Sequence, residues 1–203
     1  MSATPPEASW ASRGALKLLA ALEAFGVSPA GAPAADLGAS VGGFVDVLRR
    51  GGAEPVYALD TAYGQLAWTL RQDPGVVVME RTNALHAPPP PEAASACGVV
   101  SVDLGWTKQD RALPAALAWC RPGGHVVTLV KPHYESGRHR LDDGEAREIV
   151  DAVAASLPRI AAEAGAPAEL VGCVESPIRG GKGKNLEALA VLRRLGPAEP
   201  APR

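Results

Sequence analysis

Ala34-Ala-Asp-Leu-Gly-Ala-Ser-Val-Gly-Gly-Phe44 runs from a short apolar strand pattern into a glycine-rich turn and on into a helical pattern. Gly38, Gly42 and Gly43 let the backbone approach a ligand closely, and the helix N-terminus that follows offers unpaired N–H groups. Asp60 closes the next apolar run, 22 residues after Gly38. That is about where a carboxylate would take two ribose hydroxyls of a nucleotide-like cofactor. The spacing is not the GxGxxG of nicotinamide-binding folds. A glycine-rich turn and a strand-end Asp with no ligand at all is the plain alternative, and the motif by itself implies no reaction.

Outward from this turn the chain alternates strand and helix. Strands are expected at 34–37, 56–59, 76–79, 98–102, 126–130, 169–174 and 189–192. A first helix is expected after Ser12 as N-cap, with Leu16, Leu19, Leu22 and Phe25 on one face and Gly26 as its stop. Further helices are expected at 43–50, 65–71 and 111–120, the last stopped by Arg121-Pro-Gly-Gly124. Ile149, Val150, Val153, Leu157 and Ile160 mark a long helix that Pro158 would kink or end. Such alternation means an α/β fold, a mostly parallel sheet with helices on both faces and ligands beyond the carboxyl ends of the strands. Residues 1–11 and 196–203 read as flexible tails around a single domain at 12–195.

Composition narrows the function classes. The 203 residues suit one domain of about 150 residues with modest extensions. Lys and Arg number 20 against 22 Asp and Glu, so polybasic nucleic-acid binding is excluded as a whole-chain property, though a local basic patch is not. Aromatics at 4% argue against a sheet of stacking aromatics. No apolar run is long enough to span a membrane, and the N-terminal stretch lacks the pattern of a secretory signal. Cys97, Cys120 and Cys173 lie far apart, which suits a reducing cytoplasm and small buried hydrophobes. His86, His125, His133 and His139 show no metal-ligand spacing and read as surface or capping residues, so no metal is expected.

Four charged residues stand at or near strand ends: Lys17, Asp103, Lys131 and Glu187. Lys131 directly follows five mostly apolar strand residues, a partly desolvated setting in which an amine can accept a proton. Taken singly, each reads as a solvated or capping charge.

Taken together, in order, several stretches carry a resemblance. Ser12-Arg-Gly-Ala-Leu-Lys17, Asp36 to Phe44, Tyr63-Gly-Gln-Leu-Ala-Trp-Thr-Leu-Arg71 and Met79-Glu-Arg-Thr-Asn83 are similar to the TlyA branch of the FtsJ-like (RrmJ-type) RNA methyltransferases. Leu129-Val-Lys-Pro-His-Tyr-Glu135 and Ser176 to Glu187 continue the match, which spans about residues 10 to 194. The resemblance implies a class I, Rossmann-like fold with a seven-stranded sheet that binds S-adenosylmethionine and methylates ribose 2′-hydroxyls of RNA, typically ribosomal RNA. It places the catalytic set on Lys17, Asp103, Lys131 and Glu187. It places cofactor contacts on Asp36, Gly38, Ser40, Gly42, Gly43, Phe44 and Asp60, on Glu80, Arg81, Thr82 and Asn83 at the adenine side, and on Asp103 near the methyl group.

The chain departs from the family pattern at several points. Proteins of this branch usually carry an S4-type RNA-binding domain where only about eleven residues precede the first motif here. Gly105-Trp106 stands for the usual Ser-Phe, His133-Tyr134 for Gln-Phe, Lys184 is an insertion and Ala188 replaces an aromatic. Arg179, Lys182 and Lys184 offer weak phosphate contacts, with a merely solvated loop as the alternative. The expected partner is ribosomal RNA or a ribosomal subunit, in the cytoplasm and away from membranes, with a partner protein replacing the RNA-binding domain. Two rival functions remain: a methyltransferase for a small hydroxylated molecule, which the acidic balance favours, and a non-catalytic subunit binding the cofactor or RNA, which the complete set of four residues disfavours.

Overall fold

A computed structural model describes residues 10–180 and 185–196. The order of elements is α1 (Ala15–Phe25), β1 (Ala34–Leu37), α2 (Gly43–Arg50), β2 (Val56–Leu59), α3 (Trp68–Arg71), β3 (Val76–Met79), β4 (Cys97–Val102), α4 (Gln109–Trp119), β5 (Cys120–Val130), α5 (Pro132–Ser136), α6 (Asp143–Glu163), β6 (Ala168–Glu175) and β7 (Ala188–Arg194). The strands form one seven-stranded sheet in the order β3-β2-β1-β4-β5-β7-β6. All pairings from β3 to β5 are parallel, and β7 runs antiparallel to both β5 and β6. The order reverses at β1, between β2 and β4, and this switch point is where an open α/β sheet takes its ligand.

Burial explains the sheet. β1 and β2 are buried along their whole length, as central parallel strands covered on both faces must be. Leu18, Leu22, Phe44, Val45, Leu48 and Val56 belong to the core on the α1 and α2 side. Leu113, Leu117, Trp119, Val150, Leu157 and Leu192 belong to the core on the α4 and α6 side. No helix among the described residues is long and apolar enough to cross a membrane.

Several expectations need correction. The N-terminal tail does not extend to residue 11: the Ala11 N–H donates to Asp46 Oδ2 at 2.9 Å, and the Arg50 guanidinium lies 4.5 Å from the centre of the Trp10 ring. Ser12 is not the N-cap of α1; Gly14 is, and Ser12 contributes only its carbonyl to the opening turn. Arg121-Pro-Gly-Gly124 does not separate α4 from a later strand, because β5 starts at Cys120 and absorbs this stretch where its register with β4 shifts. α6 passes through Pro158 to Glu163. Its buried row of Val150, Ala154, Leu157 and Ala161 outweighs one missing N–H donor. α5 has no counterpart among the expected helices; Pro132 at its first position supplies a preset φ.

Candidate active site and cofactor cleft

The C-terminal ends of β1, β2, β4 and β5 deliver Gly38, Asp60, Asp103 and Lys131 to one edge of the sheet. β7 runs the other way, with Ala188 opposite Val130, so Glu187 at its start arrives at the same edge. Lys17 comes from the first turns of α1. A chain of alternating charge results. Glu187 Oε2 lies 2.6 Å from Lys17 Nζ, Lys17 Nζ lies 3.8 Å from Asp103 Oδ2, and Asp103 Oδ1 lies 2.5 Å from Lys131 Nζ. Lys131 Nζ also donates to the Leu104 carbonyl at 3.1 Å. Glu187 is only 5% exposed, and a buried carboxylate needs such a partner to be tolerated. Gly180 leaves room for it, since a Cβ there would fall 1.9 Å from Glu187 Oε1.

Two adjoining cavities open beside this chain. One, of about 240 Å³, has Asp60, Thr61, Thr82, Asn83 and Leu104 in its wall. The other, of about 210 Å³, is walled by Ser12, Gly14, Asp36, Gly43 and Phe44. Gly38, Ser40 and Asp103 line both, so the pair forms a cleft in the size range of small-molecule sites. Asp60 accepts from the Ser40 N–H at 2.7 Å and the Ala62 N–H at 2.8 Å, one on each carboxylate oxygen. Those bonds hold the glycine-rich turn against the exit of β2 and leave a lone pair on each oxygen.

Asp36 is 1% exposed. Its Oδ1 accepts from the Ser101 hydroxyl at 2.7 Å, and its Oδ2 has no partner in hydrogen-bond geometry. Burial pushes its pKa up to about 7; the Ser101 bond opposes this, and the Asp103 and Asp60 charges add to it.

Not every expected cofactor residue faces the cleft. Glu80 accepts from Arg71 at 2.5 Å and from the Gly64 N–H at 2.9 Å, and the Arg71 bond holds its carboxyl below the ordinary range. It braces the loop after β2. Arg81 lies over the Tyr63 ring at 4.3 Å. Gly42 packs on α3, where a Cβ would meet Leu70 Cδ1 at 2.4 Å. Arg179 is engaged within the fold, its guanidinium donating to both oxygens of Asp143 at 2.7 and 2.8 Å. Lys182 and Lys184 lie outside the described residues.

Three residues near Lys131 were not anticipated as part of the site. The Tyr134 ring centre lies 5.4 Å from Lys131 Nζ, and Trp106, 81% exposed, stacks on Tyr134 at 4.8 Å. His133 is not a surface or capping residue: its Nδ1 is buried without a partner. Burial pushes its pKa down, Glu187 opposing and Lys131 adding. Position alone signals them, because each stands within three residues of Asp103 or Lys131.

The profile of the FtsJ-like methyltransferases matches residues 10–192. The chain belongs to the FtsJ-like methyltransferase family. It is 45% identical over 141 residues to the "16S/23S rRNA (cytidine-2'-O)-methyltransferase TlyA" of Mycobacterium tuberculosis (strain ATCC 25618 / H37Rv), covering 70% of this chain and 52% of that protein. It is 37% identical over 188 residues to "Putative rRNA methyltransferase YqxC" of Bacillus subtilis (strain 168), covering 92% of this chain and 66% of that protein. Among solved structures, "Putative hemolysin from Streptococcus thermophilus" superposes with a TM-score of 0.82 at 34% identity, covering 96% of this chain and 70% of that one. The chain thus spans about half the length of its TlyA relative.

As an FtsJ-like methyltransferase domain, the chain offers two connected capacities. Its cleft is lined by backbone of the glycine-rich turn and by carboxylates, with no lysine or arginine among the described residues of either wall. That donor set fits a cationic adenosine derivative. Asp103 is shared between the cleft and the lysine–carboxylate chain, so a group bound in one lies against the other.

Proposed function

We propose that this chain binds S-adenosylmethionine in the double cleft and transfers its methyl group to a ribose 2′-hydroxyl of ribosomal RNA. The observation that carries the reading is Asp103, which lines both halves of the cleft while ion-paired to Lys131 at 2.5 Å. Bound there, the cofactor supplies an electrophilic methyl on sulfur. A ribose hydroxyl is a poor nucleophile and must lose its proton as it attacks in line. Lys131 is assigned to orient that hydroxyl and, as the neutral amine left once its own extra proton has passed to the Asp103 carboxylate beside it or to solvent, to receive the hydroxyl proton. Asp103 fixes the Lys131 amine, and Lys17 with Glu187 fixes Asp103 from the other side. The new bond joins the ribose oxygen to the methyl carbon, and the carbon–sulfur bond breaks with its electrons staying on sulfur.

Asp60 is assigned to the cofactor ribose. Asp60→Ala is expected to weaken S-adenosylmethionine binding by about 1.5 kcal/mol, the worth of a hydrogen bond to a charged group. Unchanged affinity in calorimetry would remove Asp60 from the cofactor site.

Transfer of tritiated methyl from S-adenosylmethionine to total RNA, ribosomal subunits and a small-molecule extract tests the substrate. Label on ribosomal RNA 2′-oxygens supports the reading. Label on a small hydroxylated compound, or cofactor binding with no transfer at all, would replace it with a small-molecule methyltransferase or a non-catalytic subunit. Part of the RNA affinity is proposed to come from a partner protein or from the ribosomal subunit. A ribosomal substrate also puts the protein in the cytoplasm. Beside Arg179, which also meets Asp143, the proposed phosphate contacts of the loop are Lys182 and Lys184. Replacing both with Ala is expected to reduce the slope of log affinity against log salt by roughly 0.7 for each phosphate of single-stranded RNA that is no longer neutralised. An unchanged slope would show that this loop does not touch the RNA backbone.

A further inference from the structure

Asp36 has no place in the transfer step above, yet it is 1% exposed and one of its carboxyl oxygens has no partner. It sits at the third position of β1, buried between β2 and β4 and under α2. No element packed around it supplies a compensating cation among the described residues. From β4 come the Ser101 hydroxyl, bonded to Oδ1, and, just beyond the strand, the Asp103 carboxylate. From the exit of β2 comes the Asp60 carboxylate. From α2 comes the Val45 amide, which faces the carboxyl but outside bonding geometry. Lys17 on α1 is directed to Glu187 and Asp103. Three acids therefore converge, and Asp36 lines the same cavity as Asp103.

A buried carboxyl in that setting keeps its proton, and its pKa of about 7 follows from burial first and from its acidic neighbours second. A positive charge entering the cavity reverses the balance. Oδ2 is sealed from solvent, so Asp36 acts on such a ligand through its field and not through a new hydrogen bond. We propose that Asp36 releases its proton when a cationic ligand enters the cleft, so that cofactor binding is proton-linked and Asp36 helps the site select a cationic adenosine sulfonium over neutral adenosine thioethers. The inference rests on S-adenosylmethionine being the cofactor. The balance is simple: protonated Asp36 plus the cationic cofactor gives the Asp36 carboxylate facing that cation, with one proton passed to buffer.

The test is calorimetry of the ligand-free protein with S-adenosylmethionine between pH 5.5 and 7, in two buffers of different ionisation enthalpy. The uncharged analogue 5′-methylthioadenosine serves as the comparison. The expected result is release of about half a proton per cofactor at pH 7 and most of one at pH 6, with binding about tenfold tighter at pH 7 than at pH 5.5. The neutral analogue is expected to release no proton and to show no pH slope. Asp36→Asn keeps the shape of the side chain, removes the titration, and is expected to abolish both the proton release and the slope. Cofactor binding without proton release in the unaltered protein, an equal slope with the neutral analogue, or a slope that survives in Asp36→Asn would each overturn the proposal. If the variant does not fold, the proton count and the neutral analogue decide the matter on the unaltered protein. Absence of any S-adenosylmethionine binding across the range would instead overturn the cofactor reading and this inference with it.

Discussion

Lys131→Met is expected to lower methyl transfer at least about a hundredfold, the usual worth of a group acting in acid–base chemistry, while affinity for S-adenosylmethionine changes by less than about threefold. The two effects separate because the amine and the cleft are separate. Lys131 lines neither cavity, and its Nζ meets Asp103, Leu104 and the Tyr134 ring. Methionine retains most of the aliphatic stem, so packing at this position, 12% exposed, is largely preserved. Removing the ammonium leaves Asp103 with Lys17 at 3.8 Å as its ionic partner. That change makes Asp103 slightly more attractive to a cation, so cofactor binding does not suffer. An interaction that matters only as the hydroxyl loses its proton appears in kcat and not in ground-state binding. Single-turnover transfer to the RNA substrate measures the first effect and calorimetry the second. Transfer near the unaltered rate would show that another group takes the proton, and His133, half-buried and within the field of Glu187 and Lys131, is then the next to examine.

Strands β1, β2 and β3 are legible to the residue along the chain because short, mostly apolar runs there are bounded by Pro33 and Gly38, by Pro55 and Asp60, and by Gly75 and Glu80. β5 is legible only in its second half. Its first half is Arg121-Pro-Gly-Gly124, a composition that favours turns, and the strand persists through it only because neighbouring β4 accommodates a register shift. Pro158 marks a bend in α6 by local rules, and the burial that overrides one proline is a tertiary quantity. The glycine-rich turn and Asp60 are legible from spacing, since both lie at consecutive strand ends.

The lysine–carboxylate chain is of a different kind. Lys17 and Glu187 meet across 170 residues, and no local pattern pairs them; only the resemblance of several motifs in order brings them together. The same resemblance cannot tell which side chains of a matching segment face the ligand. Glu80 and Arg81 stand among residues that line the cleft, yet they close their own loop onto Arg71 and Tyr63. A related point holds for Arg179. An arginine in a basic loop looks free in a sequence, whereas its partner Asp143 opens a helix 36 residues earlier. The isolation of Asp36 is likewise invisible along the chain, because it depends on neighbouring strands and a helix supplying no cation.

Gly38→Ala is expected to lower affinity for S-adenosylmethionine at least about a hundredfold and to destabilise the fold by roughly 2–4 kcal/mol. Two penalties coincide at this residue. Its φ of +102° lies in a region that L residues rarely occupy. A Cβ would also stand 2.4 Å from the Asp103 carbonyl oxygen and 2.9 Å from its carbonyl carbon. Both are backbone atoms, so no rotamer change relieves the overlap, and the exits of β1 and β4 must move apart. They are the two sides of the switch point, and Gly38 and Asp103 line both halves of the cleft. Separating them widens the cofactor site and draws Asp103 away from Lys131 at once. Gly26→Ala provides the comparison: its φ is +63° and a Cβ there meets nothing within 4 Å. That change is expected to remove only the glycine advantage at the end of α1, about 1 kcal/mol, and to leave cofactor binding intact. Denaturant unfolding and calorimetry on the two variants separate general backbone strain from the local overlap. Equal cofactor affinity in Gly38→Ala and Gly26→Ala would mean that the close approach of β1 and β4 does not shape the cleft.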